Sequence, residues 1–296
     1  MVKRGFQNGV QRWYCKDCQK YFNGQSGKKE DLALSLYSTG YHTVQEISQA
    51  VGVSRMTIHR YLSSLQGRTE RDNAPREIVA LMDTTYWGRS FGVVVIKDNI
   101  SGRVIWHKFI GHRERLSDYR EGVEWLESRG YAIKGIVSDG LKGLSEMFPQ
   151  YRFQLCQFHQ IQSVRIKLTG HPKLPASMEL LDIARMMTRT DKETFCGALD
   201  DWHMRWPISS ERSASADGKT FYTHRRLRSA YLSLKRNMPR LWTFYDYPEL
   251  EMPNTNNAIE ALFSDIKTKL RIHKGLSLER RKSLIAELLN AHNPHK

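Results

Sequence analysis

Residues 77–88, EIVALMDTTYWG, contain an apolar run at 78–82 that stops abruptly at Asp83. A short apolar run bounded by polar residues predicts a buried β-strand. The segment FGVVVIKDNISGRVIWHKFIGH at 91–112 predicts a hairpin, with strands at 91–96 and 104–110 and a turn around 99–102. This part of the chain therefore predicts three consecutive strands, the first of which ends at a carboxylate.

A helix and a fourth strand follow this hairpin. The stretch ERLSDYREGVEWLESRGY at 114–131 predicts a helix that ends at Gly130, and AIKGIVSDGLKGL at 132–144 predicts a strand that ends at Asp139. A right-handed crossover would pair the first strand with the fourth in a small mixed sheet. We therefore expect Asp83 and Asp139 side by side at one edge, where two like charges favour a shared divalent cation. The competing interpretation is that an Asp before Gly only forms a turn.

The next segment, QYRFQLCQFHQIQ at 150–162, predicts a fifth strand at 152–155 followed by the pair Cys156 and His159. As zinc ligands these two residues are an incomplete set. The alternative is a buried cysteine with a histidine near the start of a helix. Residues 160–253, rich in Leu, Met, Trp and Arg, predict an all-helical insertion with an exposed Ser/Gly loop and a basic cluster at 224–228.

The stretch NTNNAIEALFSDIKTKLRIHKGLS at 254–277 predicts an amphipathic helix with Glu260 in its first turn. One interpretation is a capping box, with Asn257 as the cap and Glu260 at the third helical position. The other is that the helix packs across the sheet and brings Glu260 to Asp83 and Asp139 as a third metal ligand. Cations follow downstream, and Lys267 and Arg271 are candidate phosphate contacts, although a solvated helix face explains Lys267 equally well.

Residues 28–65 carry the pattern of a helix-turn-helix. Thr43 followed by Glu46 predicts a capping box for a second helix, Gly52 predicts the turn, and Ser54 predicts the cap of a third helix. The last helix of such a unit enters the major groove of DNA. The alternative is an ordinary three-helix packing unit. The candidate DNA-binding residues are Ser54, Arg55, Thr57, His59 and Arg60.

The segment QRWYCKDCQKYF at 11–22 places Cys15 and Cys18 at the spacing of half a structural zinc site. The nearest further candidate ligand is His42. Either a first pair of ligands belongs upstream of Met1, or the two cysteines mark a vestigial hairpin turn. Residues 66–77, QGRTERDNAPRE, are polar and predict a linker between domains.

The charge balance indicates a polyanionic partner. The 296 residues include 46 Lys and Arg against 31 Asp and Glu, which gives a net charge of +15. A basic surface kept only for solubility is the other interpretation. The sequence contains no apolar run long enough for a membrane span, no apolar signal segment at the N-terminus, and too few cysteines for a disulfide framework. We therefore expect a cytoplasmic, nucleoid-associated protein.

Together these motifs resemble a DDE transposase of the Mutator-like group from bacterial insertion sequences. The matching segments are DTTYWG with Asp83, SDGLKGL with Asp139, CQFH with Cys156 and His159, and NTNNAIE with Glu260. The resemblance covers nearly the whole chain and implies a multi-domain α/β fold, in which an RNase H-like mixed sheet is interrupted by the insertion. The expected domains are a zinc-ribbon-like segment at 1–27, a helix-turn-helix at 28–65, a linker at 66–77, a catalytic core at 78–159 and 254–296, and the insertion at 160–253.

The resemblance also implies the activity. Asp83, Asp139 and Glu260 would bind two Mg²⁺ ions, for which Mn²⁺ can substitute, and would support DNA cleavage and strand transfer. The partners would be double-stranded DNA, as terminal inverted repeats and as target, and a second copy of the chain. The zinc ribbons of this family usually carry a second pair of cysteines. This sequence lacks that pair, so the resemblance does not supply a complete set of zinc ligands. Two other classes remain open: a non-catalytic helix-turn-helix regulator with a decayed core, and an RNase H-like nuclease or resolvase.

Overall fold

The computed structural model describes residues 1–7, 9–63, 74–207, 211–273 and 275–292. The chain forms two compact units, and each is described by itself: Met1–Arg71 together with Ala261–Lys296, and Asp72–Glu260. Most of the predicted linker at 66–77 lies outside the described residues, which resume at Ala74. No helix among these described segments is long and apolar enough to cross a membrane.

The first unit opens with a small antiparallel sheet in the order β1-β2-β3, followed by three helices. Their apolar residues, among them Tyr37, Ile47 and Ile58, are buried, which is why these short helices fold as one unit. Its elements up to this point are β1 (Val2–Gln7), β2 (Val10–Tyr14), β3 (Tyr21–Asn23), α1 (Gly24–Thr39), α2 (Val44–Val51) and α3 (Arg55–Ser63).

Local signals in the sequence set the helix boundaries of this helix-turn-helix. Thr43 and Glu46 form the predicted capping box of α2, since each side chain bonds the backbone N–H of the other. Gly52 follows α2 with φ 66, in the left-handed region that glycine adopts without strain. The Ser54 hydroxyl accepts a hydrogen bond from the Thr57 N–H at 3.2 Å and caps α3. The predicted caps and turn are confirmed.

The C-terminal residues complete the first unit. Helix α11 (Asn257–Ile272) begins in the second unit and continues into the first, and α12 (Leu278–Ala291) follows. Asp265 on α11 pairs with Lys269 at 3.0 Å and with His292 at 2.6 Å, and it accepts a hydrogen bond from the Tyr41 hydroxyl. The sequence analysis placed all of 254–296 in the core, whereas residues from Ala261 onward belong to the N-terminal unit because their contacts are made there.

The second unit is built on a five-stranded sheet in the order β6-β5-β4-β7-β8. Strands β4, β5 and β6 pair antiparallel, while β4–β7 and β7–β8 pair in parallel. The pairing of β4 with β7 is the one that the crossover rule predicted. Ile78, Val94 and Ile136 are fully buried within it. The elements of the core are β4 (Glu77–Trp87), β5 (Phe91–Asp98), β6 (Val104–Ile110), α4 (Leu116–Ser128), β7 (Ala132–Ser138), α5 (Leu144–Met147) and β8 (Arg152–Leu155).

The insertion has its own hydrophobic core, in which Trp202 and Trp242 are fully buried. The expectation of helices alone was wrong in one respect, because a short β-hairpin forms where the sequence analysis placed a loop. Its three-residue strands are too short to show an alternating pattern. The elements are α6 (Gln157–Leu168), α7 (Pro175–Met186), α8 (Lys192–Arg205), β9 (Arg212–Ala214), β10 (Thr220–Tyr222), α9 (Arg225–Leu241), α10 (Thr243–Asp246) and a 3₁₀ turn (Pro248–Leu250).

Candidate active site and nucleic-acid interface

Asp83 and Asp139 occupy neighbouring positions where the pairing of β4 with β7 ends, but β4 continues to Trp87 through its pairing with β5, so the prediction that this strand ends at Asp83 was wrong. The register pairs Met82 with Ser138 in parallel strands, so the next residue of each strand is an aspartate. Adjacent strands lie about 4.8 Å apart, which brings the two carboxylates close together. Asp83 is only 7% exposed. Burial raises the pKa of Asp83 well above its usual value, and the neighbouring Asp139 and Glu260 carboxylates raise it further.

The chain turns immediately after Asp139. Oδ1 of Asp139 accepts a hydrogen bond from the Leu141 N–H at 3.3 Å, so the carboxylate does take part in a turn. Gly140 has φ 92, and a Cβ at this position would lie 2.4 Å from Cδ1 of Leu155. Only glycine therefore fits beside β8 at this point. The turn holds Asp139 at the end of β7, so turn formation and a role in the site are compatible.

Glu260 lies in the first turn of α11, but it does not form the predicted capping box. The helix starts at Asn257, and the Glu260 N–H already bonds the carbonyl of Asn256 at 3.2 Å. The cap position is therefore Asn256, one residue earlier than expected, and Glu260 is the fourth helical residue instead of the third. Helix capping therefore does not explain the glutamate at this position, and its carboxylate is available to bind a metal ion.

Asn256 connects the strand of Asp83 to the helix of Glu260. It is fully buried, and its side-chain Nδ2 donates to the Met82 carbonyl at 2.9 Å. Its backbone N–H donates to Sγ of Cys156 at 3.2 Å. We call these two contacts the Asn256 link. The link fixes the start of α11 against both β4 and the residue that precedes α6, and so it sets where Glu260 stands.

The Cys156 and His159 pair lies beside Glu260. Nε2 of His159 is 3.5 Å from Oε1 of Glu260. In the part of the chain that the structure describes, these three residues are the only group of three or more whose potential metal-ligating atoms lie within 4.8 Å of one another. Burial raises the pKa of the Cys156 thiol to about 11. Cys156 is fully buried and its Sγ accepts from the Asn256 N–H at 3.2 Å, so the residue has a structural role in this unit.

The carboxylates fit a magnesium site in two respects. Oxygen ligands from Asp and Glu are the set that Mg²⁺ takes in proteins. Oε1 of Glu260 is buried and has no hydrogen-bond partner among the described residues. The three carboxylates do not close to within 4.8 Å as a set. Asp83, Asp139 and Glu260 would hold magnesium through these carboxylate oxygens.

A fourth acid, Glu114, adjoins this site and was missed by the sequence analysis. Burial and the Asp139 carboxylate raise the pKa of Glu114. Its Oε2 accepts from the Tyr119 hydroxyl at 3.0 Å, and that hydroxyl lies 2.9 Å from Oγ1 of Thr84. The Thr84 N–H in turn donates to Oδ1 of Asp83 at 2.7 Å. A hydrogen-bonded chain therefore runs from Glu114 to Asp83, and no sequence pattern distinguishes Glu114 from an ordinary acid before a helix.

The predicted DNA-contacting residues of α3 divide into two groups. Arg55, His59 and Arg60 are exposed on the helix. Ser54 and Thr57 are engaged in the cap, where their hydroxyl oxygens are 3.0 Å apart. We therefore expect the arginines and the histidine to reach bases and phosphates, with the two hydroxyl side chains serving mainly the helix start.

The remaining predicted cations lie beyond Glu260 on α11. Lys267 and Arg271 both belong to the part of α11 that is in the N-terminal unit. Lys267 is half-buried and Arg271 is exposed. Both residues are therefore assigned to a different unit from the three carboxylates, and their role as phosphate contacts stays a prediction.

The two N-terminal cysteines lie at the turn between β2 and β3. The Cys15 N–H bonds the Lys20 carbonyl at 3.0 Å, which closes this turn. Hydrogen bonds from the backbone of Cys18 and Asp17 lower the pKa of the Cys15 thiol. Within the described segments, no His, Asp or Glu joins Cys15 and Cys18 to complete a metal-binding group of three. The geometry matches a hairpin turn, and a zinc site here would need ligands from elsewhere.

Comparison with known families supports the N-terminal part of this description. The sequence model of a family described as the helix-turn-helix domain of resolvase matches residues 25–65. No curated protein matches the chain. The chain therefore carries a helix-turn-helix similar to that of resolvases, a type of domain that binds DNA. The unit with the four acids lies outside the matched residues.

Proposed function

We propose that the protein is a DDE-type transposase, which binds the terminal inverted repeats of its element and cleaves and joins DNA with the help of divalent metal ions. The observation that supports the proposal is the placement of the three acids in one unit: Asp83 and Asp139 follow the paired residues Met82 and Ser138, and Asn256, just before the helix of Glu260, bonds the Met82 carbonyl. A buried carboxylate beside two others is unfavourable without a cation. The helix-turn-helix supplies a DNA-binding element in the same chain.

Each acid has a distinct part in this proposal. Asp83, Asp139 and Glu260 would hold two Mg²⁺ ions, which when bound would activate water or a 3′-hydroxyl and stabilise the leaving oxygen. Asp83 lies within the central strand β4, where it pairs with Val95 of β5, and its Oδ1 accepts from the Thr84 N–H at 2.7 Å, so its position is rigid. Glu260 depends on the Asn256 link for its position. Phosphodiester transfer requires positioning and charge neutralisation more than a covalent protein partner; the three acids would supply the positioning, and the metal ions that they hold would supply the positive charge.

The proposal is tested by Mg²⁺-dependent cleavage of DNA that carries the element's own terminal repeats. We expect the wild type to cut at the repeat ends and Glu260→Gln to lose at least about a hundredfold in rate, because one ligand loses its charge. Glu249→Gln is the matched control, since Glu249 is an exposed acid in the 3₁₀ turn of the same unit. The control should cut like the wild type.

The same experiment separates the other two classes. Repeat binding without cleavage by the wild type would support a non-catalytic regulator and contradict the proposal. Cleavage of branched DNA without strand joining, and without a requirement for the repeats, would support an RNase H-like nuclease or resolvase. Of these two alternatives, the match to the helix-turn-helix of resolvases favours the second. A dimer or larger assembly on two repeat ends is expected only for the transposase.

A further inference from the structure

A cavity of about 820 Å³ lies in the insertion, away from the acidic site. Its wall is formed by the end of α6, the loop that follows, the strand β10 and the start of α9. The residues that line it include no Asp or Glu among those that the structure describes. The titratable side chains of its wall are Lys167, His171, Lys173, His224, Arg225 and Arg226, together with Tyr222.

Three cations of this cavity contact neutral groups and not acids. The Lys167 ammonium donates to Oγ of Ser163 at 2.9 Å, and the Arg226 guanidinium donates to the Ile166 carbonyl at 2.9 Å. Arg225 lies over the ring of Phe221 at 5.1 Å. Across the described residues, only His224 of the six has an acidic neighbour, Glu211 at 3.5 Å. The cavity therefore presents a concentrated positive potential.

The start of α9 adds to this potential. Arg225 and Arg226 are its first two residues, and His224 at the cap position makes no side-chain hydrogen bond to the helix. The first turn of this 17-residue helix contains no acid. The N–H groups of an uncapped first turn and the positive end of the helix dipole both favour an anion. The backbone and the side chains thus favour the same kind of ligand.

The loop on the opposite wall is held in an unusual conformation. Thr169, which ends α6 and lines the cavity, has φ 74 and ψ 166. This backbone region is sparsely populated by residues other than glycine, and such strain persists only where the surroundings impose it. The turn at Thr169 leads the chain from Lys167 to His171 and Lys173, so both walls of the cavity carry cations.

We propose that this cavity binds phosphodiester groups of the DNA backbone, as a second DNA contact in addition to the helix-turn-helix. The cavity is much larger than one phosphate ion, and two aromatic rings of its wall lie against arginines, Phe221 against Arg225 at 5.1 Å and Tyr222 against the neighbouring Arg228 at 3.9 Å. Cations interleaved with aromatic rings suit a nucleic-acid strand better than a free anion. The proposal rests on the DNA-binding part of the proposed function and does not depend on catalysis.

The test is the salt dependence of DNA binding by the full chain, measured by fluorescence anisotropy in EDTA so that no cleavage is required. The variant is the double substitution Arg225→Gln with Arg226→Gln. Each lost phosphate contact reduces the slope of log K against log[salt] by about 0.9, so we expect a slope less negative by about 2. Affinity at physiological salt should fall several-fold, uniformly across DNA sequences.

The matched control is the double substitution Arg185→Gln with Arg205→Gln. Both are exposed arginines of the insertion, and each already pairs with an acid, Asp182 and Glu179 respectively. The control removes the same charge from the same region and should leave the slope unchanged. If both double variants reduce the slope equally, or neither does, the cavity is not a DNA site.

Two further measurements keep the test decisive. Lys173→Gln changes an exposed side chain, so it should fold normally and reduce the slope by about 1. Inorganic phosphate tests the alternative that the cavity binds a free phosphate ion and not the DNA backbone. Thermal stabilisation by phosphate that Arg225→Gln with Arg226→Gln abolishes, together with an unchanged DNA slope, would identify a free-anion site and overturn the proposal. Because metal is absent throughout, a failure of catalysis cannot produce any of these results.

Discussion

Substitution of Asn256 by alanine should separate the stability of the second unit from the placement of its acids. The side chain makes one hydrogen bond, from Nδ2 to the Met82 carbonyl at 2.9 Å, while its Oδ1 is buried without a partner among the described residues. A lost buried hydrogen bond costs about 1–3 kcal/mol when it leaves its partner unsatisfied. Removal of Oδ1 also removes an unsatisfied acceptor, which offsets part of this cost. We therefore expect a net loss of only about 1 kcal/mol in the free energy of unfolding.

The expected effect of Asn256→Ala on cleavage is much larger. Met82 precedes Asp83, and Asn256 precedes the helix that carries Glu260, so the lost bond is the direct connection between the two ligand-bearing segments. A displacement of about 1 Å at a reacting centre costs about a hundredfold in rate. We expect a fall of about ten- to a hundredfold in the single-turnover rate, with DNA affinity unchanged.

Asn254→Ala is the matched control for this prediction. Asn254 lies in the same segment, but its Nδ2 donates to the side chain of Gln157 at 3.0 Å instead of to the strand of Asp83. Chemical denaturation and single-turnover cleavage in Mg²⁺ should be measured on both variants. The control should lose similar stability and keep its rate. Equal rates for the two variants, or a wild-type rate for Asn256→Ala, would refute the positioning role of the bond from Asn256 Nδ2 to the Met82 carbonyl.

Two more predictions follow from buried titratable groups. His273 is 6% exposed, and its ring lies against that of Tyr37 with the ring centroids 3.9 Å apart. Burial lowers the pKa of His273 to about 4. An unfolded histidine titrates near 6.5, so this depressed pKa contributes stability above pH 6.5 that is lost as the pH falls toward 4. Wild type should lose about 2 kcal/mol more than His273→Phe between pH 8 and pH 5 in denaturant titrations, and equal losses would contradict the assignment. For Cys156, whose pKa of about 11 favours the neutral thiol, we expect slow alkylation at pH 8 beside fast alkylation of Cys15. Cys156→Ala should lower the free energy of unfolding by roughly 1 kcal/mol, because the Asn256 N–H loses its acceptor. Cys156→Ser should lose much less, because the serine hydroxyl can accept from the same N–H. Equal stability of the two variants would show that this bond contributes nothing.

The sequence predicted those parts of the fold that local chemistry decides. The capping box of α2 and the bounds of β8 follow from residue types within a few positions. The parallel pairing of β4 with β7 follows from one handedness rule, and this pairing alone predicted that Asp83 and Asp139 are neighbours. For this prediction, the order of the strands along the chain was sufficient.

Other features depend on contacts that no local pattern specifies. The apolar face of α11 predicted burial, but not that its later turns pack with the N-terminal unit. The cap position moved from Asn257 to Asn256 because the Asn256 side chain bonds a carbonyl 174 positions away in the chain. Glu114 reached the site through the loop before α4, where one acid resembles any other. These are tertiary contacts, and a single sequence does not reveal them.

The same contacts explain the role of the pair Cys156 and His159. In the sequence, Cys156 and His159 were either an incomplete metal site or a buried cysteine near a helix start. In the structure, Sγ of Cys156 accepts from the Asn256 N–H and His159 stands 3.5 Å from Glu260. Both residues therefore act on the segment that presents the third acid. A motif that follows the second aspartate thus controls the glutamate about a hundred residues later, because the insertion between them folds on a core of its own and leaves the two ends in contact.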